Sequence, residues 1–534
     1  MSKDLVEKFN ALPRNPRSPS GWAPNEWHFD VRYVQLEPNP AHVVFFFQPQ
    51  SHLIYTLRLP IDLASDEVNL KFFPETAKEA APTVVKGILR AFVDNMGRND
   101  RRMYPEPPSA LAPWKLMTDD KALATAVGHE LKRVGVKSEA LWDISISSET
   151  VVDGAMQTFG LFFRNLVNVC VLDDTMAAIV QTPGPIVWEG CRVPKAVSEK
   201  RNDLDDEENS DFRVMLEYTT LWATVLPSDG TEYEAKRYQE NREREFTRIE
   251  TLLKEKPERI INAAADRGDA DAALDYGMRL TVGLGCKRNR KRARDYLVKA
   301  AHSESASKTI KAMAHGVLIE WYLHSDRITP RYAFAASHHC NEAAQLCAEV
   351  SGSDVCASPA VLWFMKKTFK TLAEDVPEFY IWFIEAVDAL EARDRQYEEN
   401  QAKIARKRAL NASRYRCAAP GCEIEADKGS KLSRCSGPCD IDKKPYYCTQ
   451  ECQREDWRNH KPFCRPGAES SVIDDGTKYD LAETSPARKT VDGALMIPIT
   501  FRESGKTLMV CSTTMDAKML KEMKRYNEMD IGQA

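Results

Sequence analysis

Between Cys417 and Cys464 the chain places seven of its 14 cysteines, together with His460. These residues fall into four pairs: Cys417 with Cys422, Cys435 with Cys439, Cys448 with Cys452, and His460 with Cys464. Eight soft donors in four pairs suit two tetrahedral ions, and zinc favours four-coordinate sulfur and nitrogen sites. Thiolates in such a geometry also hold iron, but a histidine in the fourth pair points to zinc. Ligation entirely by side chains leaves no open position, which marks a structural rather than a catalytic ion. The i, i+4 spacing of Cys448 and Cys452 puts both thiolates on one face of a helix. In a reducing compartment such a local cluster argues for metal and against disulfides. The remaining cysteines are scattered. Cys170, Cys286 and Cys347 sit in apolar or helical surroundings and read as core thiols. The run His338-His339-Cys340 has metal-binding composition, but no second pair lies near it in sequence. It reads as a helix or loop surface.

Little else in the chain carries chemistry. The formal net charge is −5 over 534 residues, and the basic run from Lys287 to Arg292 is short enough to be a solvated helix edge. A dedicated nucleic-acid binder would show a basic domain or stripe. The polar, Pro-rich start lacks an apolar leader segment. The longest apolar stretch, Leu161 to Leu172, is broken by Arg164 and falls short of the roughly 20 residues a membrane span needs. An intracellular protein, nuclear or cytoplasmic, is expected.

The segment Tyr447-Cys448-Thr449-Gln450-Glu451-Cys452-Gln453, followed by Trp457, His460 and Cys464, resembles the MYND-type zinc finger. That family carries Cys-x3-Cys-Gln on a short helix and then Trp, His and Cys. The first two pairs depart from it, being Cys-x4-Cys and Cys-x3-Cys where two intervening residues are common. Gly421 and Gly437-Pro438 supply the turns that longer knuckles need. The resemblance implies interleaved ligation, with Cys417, Cys422, Cys448 and Cys452 on one Zn2+ and Cys435, Cys439, His460 and Cys464 on the other. It also implies a protein-recognition module for short proline-containing peptides, with Gln453 and Trp457 lining the groove. The alternative for Trp457 is a lid over the second ion. Some MYND proteins are lysine methyltransferases, the rival reading. Their SET domain needs an Asn-His pair and a later cysteine cluster. Here Asn-His occurs only as Asn459-His460, inside the finger, and no later cluster follows. A non-enzymatic adaptor is therefore expected, with transcriptional regulation as a setting for it.

The elements around the finger are expected to form a multidomain chain: an N-terminal α+β domain, a central all-α helical-repeat region and the small zinc-stabilised finger. Residues 1–24 read as disordered. Residues 25–196 read as the α+β domain, with a buried strand at Val43 to Phe47 and helical spacing at Val84, Ile88, Leu89 and Phe92. A second helix repeats through Leu123, Val127, Leu131 and Val134 after a Thr118 cap. Residues 197–232 contain the acidic run Asp203 to Glu208 and read as a linker. Residues 233–413 read as all-helical. Within them, Gly268 to Ala301 resembles a Sel-one-like repeat, a relative of the tetratricopeptide helix pair, over about 34 residues. Gly277 in that stretch is a small residue where a neighbouring helix must approach. The finger spans 414–466, a linker 467–492, and a C-terminal hairpin and helix 493–534, with Glu503-Ser504-Gly505-Lys506 as the turn. The polar flanks suggest that the finger folds on its own. As a whole the layout resembles that of fungal MYND-finger proteins, which adds no mechanism.

Overall fold

This computed structural model describes the chain except at residues 1–2, 36–39, 62–71, 100–107, 171–181, 191–206, 231–241, 324–328, 376–378, 411, 427–430, 473–493, 502–505 and 529–534. Two units result, Met1–Asp394 and Arg395–Ala534. Among the described residues no helix is long and apolar enough to cross a membrane.

The first unit opens with α1 (Lys3–Ala11) and a sheet of β1 (Glu26–Val34), β2 (Ala41–Phe47), β3 (Ile54–Leu59), β4 (Lys115–Thr118) and β5 (Ser145–Ile146). The order is β3-β2-β1-β4-β5, an antiparallel meander extended by two parallel strands. The aromatic run in β2 is buried on both faces. Val44 and Phe46 join the core beneath α2 (Ala77–Val93) and α3 (Lys121–Val134), while Phe45 and Phe47 meet Phe159 and Phe163 of α4 (Glu149–Cys170). This is why the strand is a continuous apolar run rather than an alternating one.

Three expectations for this part are corrected. Residues 1–24 are not disordered throughout. Leu5, Val6 and Phe9 form a buried stripe on α1, and Phe9 meets Phe92 edge-on at 6.4 Å. Three apolar side chains within five residues suffice to dock a single amphipathic turn and a half onto a neighbour. The cap of α3 is Asp120, not Thr118. Its Oδ1 accepts from the Leu123 amide at 2.7 Å, while Thr118 ends β4. Residues 197–232 are not all linker either. The acidic run from Asp203 to Asp206 lies outside the described residues, but Glu207–Val225 is helix α5. Its Tyr218 and Val225 are buried in the central core, and acidic residues suit its N-terminal end.

Helices then follow one another: α6 (Arg242–Glu255), α7 (Glu258–Asp266), α8 (Ala270–Val282), α9 (Arg290–Ala301), α10 (Lys308–Leu323) and α11 (Pro330–Ser351). Asp269 caps α8 through the Ala272 amide at 3.0 Å, and Asn289 caps α9 through the Arg292 amide at 3.0 Å. Gly283 ends α8 with φ +89°, a left-handed conformation that glycine adopts without a Cβ penalty. A Cβ on Gly277 would lie 2.8 Å from Leu297 Cγ, so α8 and α9 pack at glycine distance. Short α12 (Pro359–Phe364), α13 (Lys370–Asp375) and α14 (Phe379–Trp382) precede α15 (Ile384–Leu410). The helices do not form a domain apart from the sheet. Tyr33 and Phe73 belong to the helical core, Phe73 stacks on Tyr332 at 5.5 Å, and Arg290 pairs with Glu75 at 3.1 Å. The expected split between 25–196 and 233–413 is thus replaced by one unit, because Tyr33 on the central strand and Phe73 in the segment before α2 are buried against the helices.

His338-His339-Cys340 is likewise not a surface. All three lie buried on α11. His339 approaches His315 of α10, Nδ1 to Nδ1, at 2.8 Å. Tyr322 stacks on the His339 ring at 5.5 Å. Cys347 is buried and Cys286 half-buried. Burial pushes their thiols up to about 12 and about 11, so both are inert.

The second unit contains α16 (Ala412–Tyr415), β6 (Glu425–Ala426), β7 (Ser433–Arg434), β8 (Tyr446–Tyr447), α17 (Gln450–His460), β9 (Leu495–Phe501), β10 (Lys506–Ser512) and α18 (Ala517–Glu528). Asp516 caps α18 through the Met519 amide at 2.8 Å. Most of the expected linker at 467–492, and the hairpin turn at 503–505, lie outside the described residues. The finger does not stand apart from the C-terminal segment. β9 pairs with β10 on one side and with β6 on the other, giving a three-stranded sheet in the order β10-β9-β6. Ile497, Ile499, Ala517 and Leu520 share one core with Ile424, Leu432 and the cysteines. A finger this small has too few apolar residues of its own to close a core, and the hairpin and helix supply them.

Candidate metal centre

Local turns place each ligand. Gly421, at φ +71°, lets the chain reverse between Cys417 and Cys422. Thr449 caps α17 by accepting from the Cys452 amide at 3.2 Å, which sets Cys448 at the helix mouth and Cys452 one turn in. Gly437 is obligatory for space, since a Cβ there would lie 2.2 Å from Cys464 Sγ. Its amide donates to Cys435 Sγ at 3.3 Å, the backbone bond expected of a thiolate.

The eight residues gather as two groups, Cys417, Cys422, Cys448 and Cys452, and Cys435, Cys439, His460 and Cys464. In each group all four ligand atoms lie within 4.8 Å of one another. A tetrahedron with Zn–S bonds of 2.3 Å has edges of about 3.8 Å, and a mixed sulfur–nitrogen edge is about 3.5 Å. In the first group Cys422 and Cys448 are 3.6 Å apart and Cys448 and Cys452 3.5 Å. In the second, Cys435 and Cys464 are 3.8 Å apart, and His460 Nε2 lies 3.6 Å from Cys439 and 3.3 Å from Cys435. Both groups therefore fit a zinc ion, and the two sites interleave along the chain. The cation also answers an electrostatic need. Hydrogen bonds to Cys417 and Cys422 raise the Cys448 thiol, and burial with the nearby Cys435 pushes Cys439 up to about 11. Packed thiols resist ionising together until a divalent ion offsets their charge.

Supporting contacts that the spacing of cysteines did not reveal hold the ligands in place. His460 Nδ1 meets Ser471 Oγ at 2.8 Å, leaving Nε2 toward the thiolates; a partner on one ring nitrogen fixes the other as the coordinating atom. Burial lowers the His460 pKa and favours the neutral, coordinating imidazole. The Tyr447 hydroxyl donates to buried Asp456 at 2.8 Å and ties β8 to α17. Tyr447 and Asp456 were visible only as an aromatic and a carboxylate nine positions apart, which is no signal. Trp457 is 43 % exposed, with its ring 6.2 Å from that of His460. Gln453, one turn earlier on α17, is half-buried. Neither contributes a ligand atom.

Two cross-braced four-ligand sites around one short helix define a structural zinc finger. Residues 416–464 match the family model described as MYND finger. No curated protein and no solved structure matches the chain. The match covers the finger alone, and the finger is a zinc-binding module of the protein-interaction class.

Proposed function

We propose that the chain is a non-enzymatic, intracellular adaptor whose finger recognises a proline-containing peptide of a partner protein. The observation that carries this reading is Trp457. It sits on α17 between Cys452, a ligand of one ion, and His460, a ligand of the other, yet 43 % of it is exposed. A rigid, exposed aromatic loses little entropy on binding and offers a flat face to proline rings. Gln453 lies one helical turn before it and can hydrogen-bond an extended peptide backbone. A closed metal site performs no reaction of its own, and the sequence lacks the SET-type Asn-His pair with a later cysteine cluster, so methyl transfer is not expected. The pair α8 and α9, which resembles a Sel-one-like repeat, would add with the neighbouring helices α10 and α11 a second binding surface of the kind stacked helices provide.

The test is to measure zinc content and affinity for a panel of proline-containing peptides on the same preparations of two variants. Trp457→Ala should retain both ions and weaken capture by roughly 1–3 kcal/mol, the range for an aromatic anchor. Cys452→Ala should lose metal and binding together. Loss of zinc in Trp457→Ala as complete as in Cys452→Ala would make the residue a lid and remove the groove.

A further inference from the structure

The two zinc sites differ in what surrounds them. The first is all-sulfur, so four thiolates and one Zn2+ leave it with two excess negative charges. The second, with a neutral histidine, has one. Only the first receives a cation directly on sulfur among the described residues: Lys521 Nζ lies 2.7 Å from Cys452 Sγ. At the second site Lys444 reaches the Cys435 carbonyl at 3.0 Å and the Gly437 carbonyl, not a thiolate. Lys521 comes from α18, 69 residues beyond Cys452. The helix is held over the site by neighbouring contacts. Leu520 and Ala517 are buried in the finger core. Lys524, one turn after Leu520, pairs with Glu423, which lies beside the ligand Cys422.

We propose that Lys521 is an outer-sphere partner of the first zinc, which makes the C-terminal helix part of the metal centre. Its ammonium donates an N–H···S bond to the Cys452 thiolate and offsets one of the two excess charges. That bond holds the thiolate in its coordinating position and eases its repulsion with the other three sulfurs. Removing the ammonium leaves a less well-oriented thiolate among four uncompensated, mutually repelling sulfurs, and the site releases its ion more readily. The inference is independent of what the finger binds.

Full-length protein is compared with Lys521→Ala, Lys521→Arg and Lys524→Ala. Zinc affinity is read by competition with a chromogenic chelator, and each site by cadmium-113 resonance after metal exchange. Wild type serves as the internal check that two ions are bound. Lys521→Ala should weaken one of the two zincs about 10- to 100-fold and shift only the all-sulfur cadmium resonance. Lys521→Arg, which keeps donor and charge, should restore most of the affinity. Lys524→Ala, which removes the contact with Glu423 but not the bond to sulfur, should keep both ions tight. The proposal is overturned if Lys521→Ala affects both sites equally or neither. It is overturned also if Lys524→Ala reproduces the loss, because α18 would then act by packing alone.

Discussion

Single positions already separate space from charge in this chain. Gly277 shows the first. A helix-interior glycine is costly by itself, by about 1 kcal/mol relative to alanine, so its presence on α8 implies that a neighbour needs the room. Leu297 Cγ stands 2.8 Å from where a Cβ would be. Gly277→Val is expected to destabilise the first unit by about 1–3 kcal/mol, as overpacking does, measurable as a lower urea midpoint with an unchanged slope. That glycine was legible from its place beside Tyr276 in a helical run. The eight metal ligands were legible too, because four pairs of thiol and imidazole donors at short spacing form the donor set of two zinc ions. Lys521 and Ser471 were not. A lysine on a polar helix is one of many, and only folding brings this one to a thiolate.

At the level of elements, the hairpin and helix after residue 493 were readable as such, while their partner was not. Strand β9 has an apolar pattern that any sheet edge could satisfy. Nothing in it names Glu425–Ala426 as the two residues it pairs with. The consequence is a wider zinc-dependent unit than the finger itself. Chelation is expected to expose backbone amides in β9, β10 and α18 as well as in residues 416–464, followed by hydrogen exchange. Protection that survives in 495–528 after zinc removal would show that the segment folds without the finger. Leu520, wholly buried in the shared core, supplies the converse test. Leu520→Ala should cost about 2–5 kcal/mol, read as a lower melting midpoint of the second unit while the first melts as before. Helix α1 was missed because its few apolar residues, Leu5, Val6 and Phe9, are decisive only where an existing core receives them; α5, rich in apolar residues from Phe212 onward, was hidden by the acidic run that precedes it.

Across the whole molecule the fold class was legible, with strands first, helices in the middle and a finger near the end, but the joining of sheet and helices into one unit was not. That joining depends on aromatic side chains such as Tyr33 and Phe73 meeting Phe334 and Tyr332, contacts with no sequence spacing to announce them. The buried histidines of this unit make its stability sensitive to acid. Burial, and then neighbouring cationic groups, hold His315 and His339 well below the ordinary imidazole value. Folded, they stay neutral; unfolded, they protonate below about pH 6.5. The unfolded chain then binds more protons, so stability falls as pH drops through that value, by up to about 1.4 kcal/mol per pH unit for each group. Denaturant midpoints taken from about pH 7 to pH 5 should fall accordingly, and His339→Phe should flatten the dependence by one proton. The central claim remains the metal centre, in which two interleaved sites fold the finger. Its most direct test is native mass spectrometry of the purified full-length chain before and after acid release of metal. Two zinc ions per chain is the expected result; a chain that is folded through residues 416–464 while carrying none or only one would contradict it.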